Sequence, residues 1–454
     1  MPNQQVQPVV VIRADEEADS AKPPSTSALA VQRVCGVPLV RRHILTTRAL
    51  GWRRVVVLVS PDTREAVVRA VGEPSALGVD LRFITMAPGA FAALQQLAAQ
   101  ADWFLLLEGH YVVEGALLEA LTDTMTDAWL CDSQPEVGGS RGAEHDCGGV
   151  TSCGNEVTGP TLVYAGAALL SRTKLKAWAD RPPSVGPRGG DGRVGTKAVD
   201  VRSEDRYAPE LRRAAEALWC EVETAADAER CKRALVRGAQ KHTLDLVAWY
   251  VNRPLEAALT RSLADTPITP NQVTALTSAL AYVVTGLFLA RAWLPASLLA
   301  LVVNVLDGVD GKLARVKAMS SRLGQLEHSL DQLYEQSWYA AFAWGSYRQL
   351  GDTRVLGVGV AMLLCDGFAR HVSMQFRQVT GVPLGDYSPA DRAFRRVDGR
   401  RNIYSLHMLL AVLIGRPHYA VCTMALHALL TGVVYFIRAA THLRQLDLGR
   451  SGRT

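Results

Sequence analysis

Charge is missing where a water-soluble chain needs it. Between Val273 and Leu306 a single charged residue, Arg291, occurs in 34 positions, and Arg416 stands alone from Asn402 to Ile437. Soluble domains rarely lose charge twice over such lengths, so the C-terminal half reads as membrane-embedded. Cysteine pairs of C-x2-C spacing are also missing. The positions 35, 131, 147, 153, 220, 231, 365 and 422 exclude a zinc-ribbon pattern and leave only a loose His145/Cys147/Cys153 cluster as a metal candidate. Met1 to Arg13 lacks the basic and apolar regions of a signal peptide, so the N-terminal half is expected in the cytosol with reduced thiols. The averages, 48% hydrophobic, 20% charged and net +5, exclude a disordered or strongly acidic chain. At 454 residues, two or three domains are expected.

From Val9 to about Arg233 the pattern is α/β. The runs Val9–Ile12, Val55–Val59 and Phe104–Leu107 suit buried parallel strands, with helix-length segments at Leu39–Leu50 and Gly115–Thr122. Such alternation predicts a doubly wound sheet with its ligand site at the carboxyl ends of the strands. Cys131–Asn155 and Pro182–Thr196, rich in Gly, Pro and charge, read as loops.

An amphipathic stretch from Leu244 to Leu263 is expected to lie along a membrane surface. Six candidate spans follow, roughly 273–290, 294–311, 328–346, 355–369, 403–415 and 417–437. Several are shorter than the ~20 residues that cross a bilayer, so their helices must continue into polar residues, which at membrane depth are expected to line a site. Basic residues agree with six passes and both termini cytoplasmic. Fifteen, including Lys312, Arg315, Arg370, Arg400, Arg401 and Arg438, fall on the cytoplasmic side, against Arg291, Arg348, Arg354 and Arg416 on the other.

The second span runs into Asp307-Gly308-Val309-Asp310-Gly311-Lys312-Leu313-Ala314-Arg315, and the third opens with Gly324-Gln325-Leu326-Glu327-His328-Ser329-Leu330-Asp331. On helices, 307 and 310 share a face, as do 327 and 331. Two facing helices would then aim up to four carboxylates at one point. A divalent cation is their natural partner, and oxygen-only ligation suits magnesium, manganese or calcium. Gly311 leaves room for a substrate against the helix, and Arg315 offers a cation to a phosphate.

This segment resembles the signature of the CDP-alcohol phosphotransferase family, Asp-x2-Asp-Gly-x2-Ala-Arg-x8-Gly-x3-Asp-x3-Asp. Residues 307–315 match its first half at every defined position, and Thr269-Pro270-Asn271-Gln272-Val273-Thr274 is similar to the family's entry into its first membrane helix. The resemblance implies a six-helix fold, a Mg2+ or Mn2+ site on the acidic residues, and CDP binding by Gly311, Ala314, Arg315 and Gly324. It also implies transfer of a substituted phosphate from a CDP-alcohol to an acceptor hydroxyl with release of CMP, the last acidic residue acting as base. The second half of the motif departs. Counting on from Gly324 puts His328 and Gln332 where aspartates belong, whereas a shift of one recovers Glu327 and Asp331 at the required spacing. One residue turns a helix by about 100°, so the registers exclude each other. The shifted one is preferred because losing one loop residue is easier than losing two ligands. A mixed face of His328 and Asp331 stays open.

The N-terminal half resembles sugar-phosphate nucleotidyltransferases. Cys35-Gly36-Val37-Pro38-Leu39, Leu107-Glu108-Gly109-His110 and Trp219-Cys220-Glu221-Val222-Glu223-Thr224 stand in the order of that family's motifs. Its chemistry is eroded: Ala14-Asp15-Glu16-Glu17-Ala18 replaces a Gly-rich loop, Lys22 is distant from Gly36, His110 stands for a metal aspartate, and Glu221 and Glu223 for two more. The fusion is similar to bifunctional enzymes that make CDP-inositol in one domain and condense it with inositol phosphate in the other.

The expected organisation is therefore a degenerate nucleotidyltransferase-like domain at 1–235, an amphipathic junction at 236–268 and an all-α CDP-alcohol phosphotransferase membrane domain at 269–454. Expected partners are a CDP-alcohol donor, a hydroxyl acceptor (an inositol phosphate or a lipid alcohol) and membrane lipids, with no nucleic acid; a homodimer is compatible. The alternatives are a bifunctional enzyme that also makes its donor, a cation transporter and a non-catalytic scaffold. A transporter is disfavoured because Asp-Gly-x2-Ala-Arg has no second copy.

Overall fold

The structure is a computed structural model describing residues 7–14, 29–86, 96–97, 99–132, 163–179, 197–202, 207–208, 211–214, 218–242, 244–320 and 323–449. Asp15–Ala18, Lys22, the His145/Cys147/Cys153 cluster and most of the two expected loops lie outside these residues.

The expected strands form as read. Val9–Arg13 (β1), Arg54–Val59 (β2), Asp80–Thr85 (β3), Trp103–Glu108 (β4), Ala128–Asp132 (β5), Val163–Ser171 (β6) and Lys197–Asp200 (β7) build one sheet in the order β7-β5-β6-β4-β1-β2-β3. The run β4-β1-β2-β3 is parallel; β1, β2 and β4 are almost wholly buried, while the edge strand β3 stays partly exposed. β6 runs antiparallel to both β4 and β5, so the sheet is mixed. A three-residue ribbon, Trp219–Glu221 on Tyr111–Val113, continues the chain beyond β4. The first sheet-covering helix is α1, Leu39–Ala49.

After the sheet, helix α2 (Ala225–Gly238) starts on a capping box in which Thr224 and Asp227 bond reciprocally. The junction contains one wide turn, Ala248–Asn252, and α3, Arg253–Leu263. Leu246, Tyr250, Val251, Leu255 and Leu259 are exposed along it, the apolar side expected of a surface-lying helix.

The C-terminal half is helical: Pro270–Leu289 (α4), Trp293–Val316 (α5), Glu327–Leu350 (α6), Arg354–Thr380 (α7), Arg401–Leu413 (α8) and His418–Asp447 (α9). Thr269 caps α4 through a box with Gln272, and Pro270 at its first turn needs no donor there. Among the described residues α4, α5, α7 and α9 are long and apolar enough to cross a membrane. α8 has 13 residues, too short by itself for the ~30 Å hydrocarbon core, and α6 carries polar residues in its first half. Phe288, Ala300, Val303, Tyr334, Trp338 and Phe342 pack between the helices, while Leu298, Val302, Leu364, Leu430, Val433 and Ile437 face outward. An outward apolar face of that extent fits lipid, not water.

The two halves interlock. The buried Arg42 on α1 donates one amino group to the Val34 carbonyl at 2.9 Å and to the Val316 carbonyl, at the end of α5, at 2.8 Å. Gly36, at φ +72°, lets its turn approach the Ala264 carbonyl so closely that a Cβ would stand 3.1 Å from it.

Candidate active site

The polar end of α5 carries the motif into a buried position. Asp310 is 2% exposed; its carboxylate accepts from the Thr274 hydroxyl of α4 at 2.7 Å and from the Gly311 backbone N–H at 2.6 Å. Asp307, one turn earlier on the same face, accepts from the Tyr334 hydroxyl at 2.7 Å and from both amino groups of Arg401. Arg401 also lies 3.4 Å from Glu335, which Arg370 holds from α7 together with Asp366. The carboxylates of Asp307, Glu335 and Asp366 thus each have a guanidinium in contact, as burial requires.

On α6 the inward face repeats at helical spacing: Asp331, Tyr334, Glu335 and Trp338. The Asp331 side chain is 17% exposed and lies 3.4 Å from His328, whose own side chain is 67% exposed. Gln332 is exposed, as is Gly324. Glu327 sits one turn before Asp331 at the helix start, with its side chain outside the described residues. Asp331 feels the charges of Asp307 and Arg401, so α6 and α5 do bring carboxylates to the same region.

The donor chemistry of Asp307, Asp310 and Asp331 is oxygen-only and fits a hard divalent cation. Among the described residues no three acidic, histidine or cysteine side chains converge at metal-binding distance, and Asp307 is paired with Arg401. The fit therefore lies in the chemistry and shared face of the donors, with the fourth carboxylate, Glu327, undescribed.

The junction reaches the same helix from the other side. Lys312 pairs with Glu256 of α3 at 2.7 Å and with the Gln240 side chain, and Arg315 donates to the Ala239 carbonyl at 3.2 Å. Burial raises the Glu256 carboxyl, opposed by Lys312. Burial also lowers the Lys241 ammonium, to about 8. A Cβ at Gly308 would overlap the Glu256 carboxylate, standing 2.6 Å from its Oε2. Gly308→Ala is therefore expected to push α3 off α5 and lower stability by about 1–3 kcal/mol. Thermal unfolding in detergent, together with a less than additive effect in Gly308→Ala/Glu256→Ala, checks this.

Sequence reading missed Arg401, Tyr334, Glu335, Glu256 and Gln240 as parts of this region. Tyr334 and Glu335 were within reach, being three and four residues beyond Asp331. The basic run 392–401, counted above toward the cytoplasmic side, is largely engaged internally: Arg395 and Arg400 pair with Asp398, and Arg401 with Asp307.

In the N-terminal half, Glu108 at the end of β4 pairs with Arg13 at the end of β1, at 2.9 Å. Gly109 is required by a close approach: a Cβ would stand 2.5 Å from the Arg13 carbonyl. The buried His110 lies 3.4 Å from Glu221, which also accepts from the Tyr111 hydroxyl at 2.6 Å.

The helical half thus carries two carboxylates on one polar helix end and a third on its neighbour, an oxygen donor set of the kind that suits a divalent cation. Residues 267–433 match the family model described as CDP-alcohol phosphatidyltransferase. Similar proteins include a bifunctional IPC transferase and DIPP synthase of Thermococcus kodakarensis, 32% identical over 186 residues, covering 40% of this chain and 41% of that protein. A protein of the same name from Rubrobacter xylanophilus is 31% identical over 243 residues, 51% of this chain and 50% of that one. The chain thus spans about half, or less, of the length of these curated relatives. Among solved structures, a phosphatidylinositol phosphate synthase of Mycobacterium tuberculosis with CDP-DAG bound has 15% identity and a TM-score of 0.34, covering 41% of this chain and 94% of that one. A putative glucose-1-phosphate thymidylyltransferase of Bacillus anthracis has 11% identity and a TM-score of 0.36, covering 50% and 94%.

Proposed function

We propose that the protein is an integral membrane phosphotransferase that moves a substituted phosphate from a CDP-alcohol to an acceptor hydroxyl and releases CMP. The observation that carries the proposal is the buried Asp307/Asp310 pair at the polar end of α5, beside Asp331 of α6, within a segment matching the family model. The organisation that goes with it is a nucleotidyltransferase-like unit at 1–235, a junction at 236–268 and a membrane unit at 269–454 crossing six times with both termini cytoplasmic.

Asp307, Asp310, Glu327 and Asp331 would hold Mg2+ or Mn2+, which when bound neutralises the diphosphate and acidifies the attacking hydroxyl. Asp331 takes the proton of the acceptor hydroxyl as its oxygen bonds to phosphorus and the bond to the CMP oxygen breaks. The shifted register is the better one because Gln332 is exposed and His328 largely so, whereas Asp331 is turned toward Asp307 and Arg401. Arg401 and Tyr334 orient Asp307. Gly311, Ala314 and Gly324 would leave space for the cytidine side of the donor, with Arg315 as its phosphate partner.

The donor is read as arriving preformed. What supports this is that His110 and Glu221, which the resemblance sets in place of metal aspartates, lie against each other at 3.4 Å. The bifunctional reading has the names of the curated relatives in its favour.

Membranes containing the protein, given Mg2+ and a panel of CDP-alcohols with inositol phosphate or lipid alcohol acceptors, are expected to release CMP with one donor–acceptor pair. Chelation by EDTA should abolish release, and Mg2+ or Mn2+ should restore it. No CMP with any pair sinks the proposal; pyrophosphate release from CTP and an alcohol phosphate would overturn the preformed-donor reading.

A further inference from the structure

We propose that Lys241, supplied by the segment that leaves the soluble half, is a phosphate-binding residue of the membrane site, so that this site is complete only when the two halves are docked. The proposal rests on the phosphotransferase reading above for the identity of the phosphate, but not for its presence.

Lys241 directly follows the stretch that α2 delivers to the motif helix. Arg315 holds the Ala239 carbonyl and Lys312 holds the Gln240 side chain, so the two residues before Lys241 are tied to α5. Beyond it, the His242 N–H donates to the Leu211 carbonyl at 2.9 Å and the Leu246 N–H to the Arg396 carbonyl at 2.9 Å. Asn402, at the start of α8, donates to Asp245 at 3.0 Å. Five contacts with α5, the 211–212 turn and the loop into α8 leave the backbone at 241 little freedom.

The surroundings of the side chain are unusual for a lysine. The residue is half-buried, and its charge is felt by two like charges, Arg315 and Arg212, and by two carboxylates, Asp307 and Glu256. Both carboxylates are already matched, Asp307 by Arg401 and Glu256 by Lys312. Arg212, from the soluble half, in turn faces Arg395 and Arg400 along with Asp386 and Tyr435. Among the described residues no hydrogen bond or ion pair holds the Lys241 ammonium. A cation fixed by its backbone among guanidiniums is unfavourable unless an anion joins it. A phosphate is the anion whose charge and oxygens suit one ammonium with guanidiniums nearby. Two phosphates qualify: the diphosphate of the nucleotide donor, and a phosphate carried by the acceptor.

The test uses the full-length protein in detergent. Reductive methylation of Lys241, read by mass spectrometry, is measured alone, with CDP and with inorganic phosphate, and KM is then measured for donor and acceptor in wild type, Lys241→Met and Lys241→Arg. Protection by CDP with a KM for donor raised about tenfold or more in Lys241→Met supports the diphosphate; protection by inorganic phosphate with a raised KM for a phosphorylated acceptor supports the other source. Lys241→Arg should stay within a few fold of wild type, which a purely steric role would not secure. Equal labelling under all three conditions, with unchanged KM values, overturns the inference while leaving CMP release intact. Failure of CMP release in wild type refutes the phosphotransferase reading, and the labelling then still decides whether Lys241 binds phosphate.

Discussion

Asp310→Asn is expected to lower CMP release by about 10²–10³-fold or more while the protein stays folded in the membrane. Asparagine keeps the size of the side chain and one carbonyl oxygen, so either the Thr274 hydroxyl or the Gly311 N–H retains an acceptor. What it removes is a negative charge 2% exposed at the polar end of α5. On the proposed function that charge helps to hold the divalent cation, which a neutral group of equal shape could not do. The measurement is CMP release at saturating donor, with unchanged thermal unfolding as control. Activity within a few fold of wild type would turn the protein into the scaffold considered above.

Arg401→Met is expected to cost about 3–5 kcal/mol of stability and to abolish activity, because it strips the cation from buried carboxylates. Asp307 loses both of its guanidinium contacts and Tyr334 loses its own; Glu335 keeps Arg370. Lysine restores the charge but not the two-pronged geometry, so Arg401→Lys should fall between wild type and Met. Because the cost comes from the stranded carboxylate, Arg401→Met combined with Asp307→Asn should lose less than the sum of the two. Additive unfolding free energies in that cycle would show that Arg401 supports the fold by some other contact.

Asp307 and Asp310 were legible because three residues along a helix return to the same face. The parallel strands were legible because a run such as Val55–Val59 has no polar face to offer water. The partner of Asp307 was not: Arg401 lies 94 positions away, inside a run whose charge has a sufficient explanation in membrane topology. Glu256 was read only as part of an amphipathic stretch, and nothing local marks the glycine at 308 as the space its carboxylate fills. The reversed direction of β6 was equally silent, because an apolar strand reads the same in either direction.

By itself, then, the sequence determined the division into an α/β half and a helical membrane half, the strands at the sheet centre and the acidic face of α5. All of these follow from the periods of backbone hydrogen bonding acting on neighbouring residues. Tertiary structure alone decided that Arg401 and Tyr334 hold Asp307, that Glu256 and Gln240 hold Lys312, and that α1 of the N-terminal half reaches the end of α5. Those choices depend on which distant charges meet out of water, and a buried charge accepts whichever opposite charge the fold brings to it.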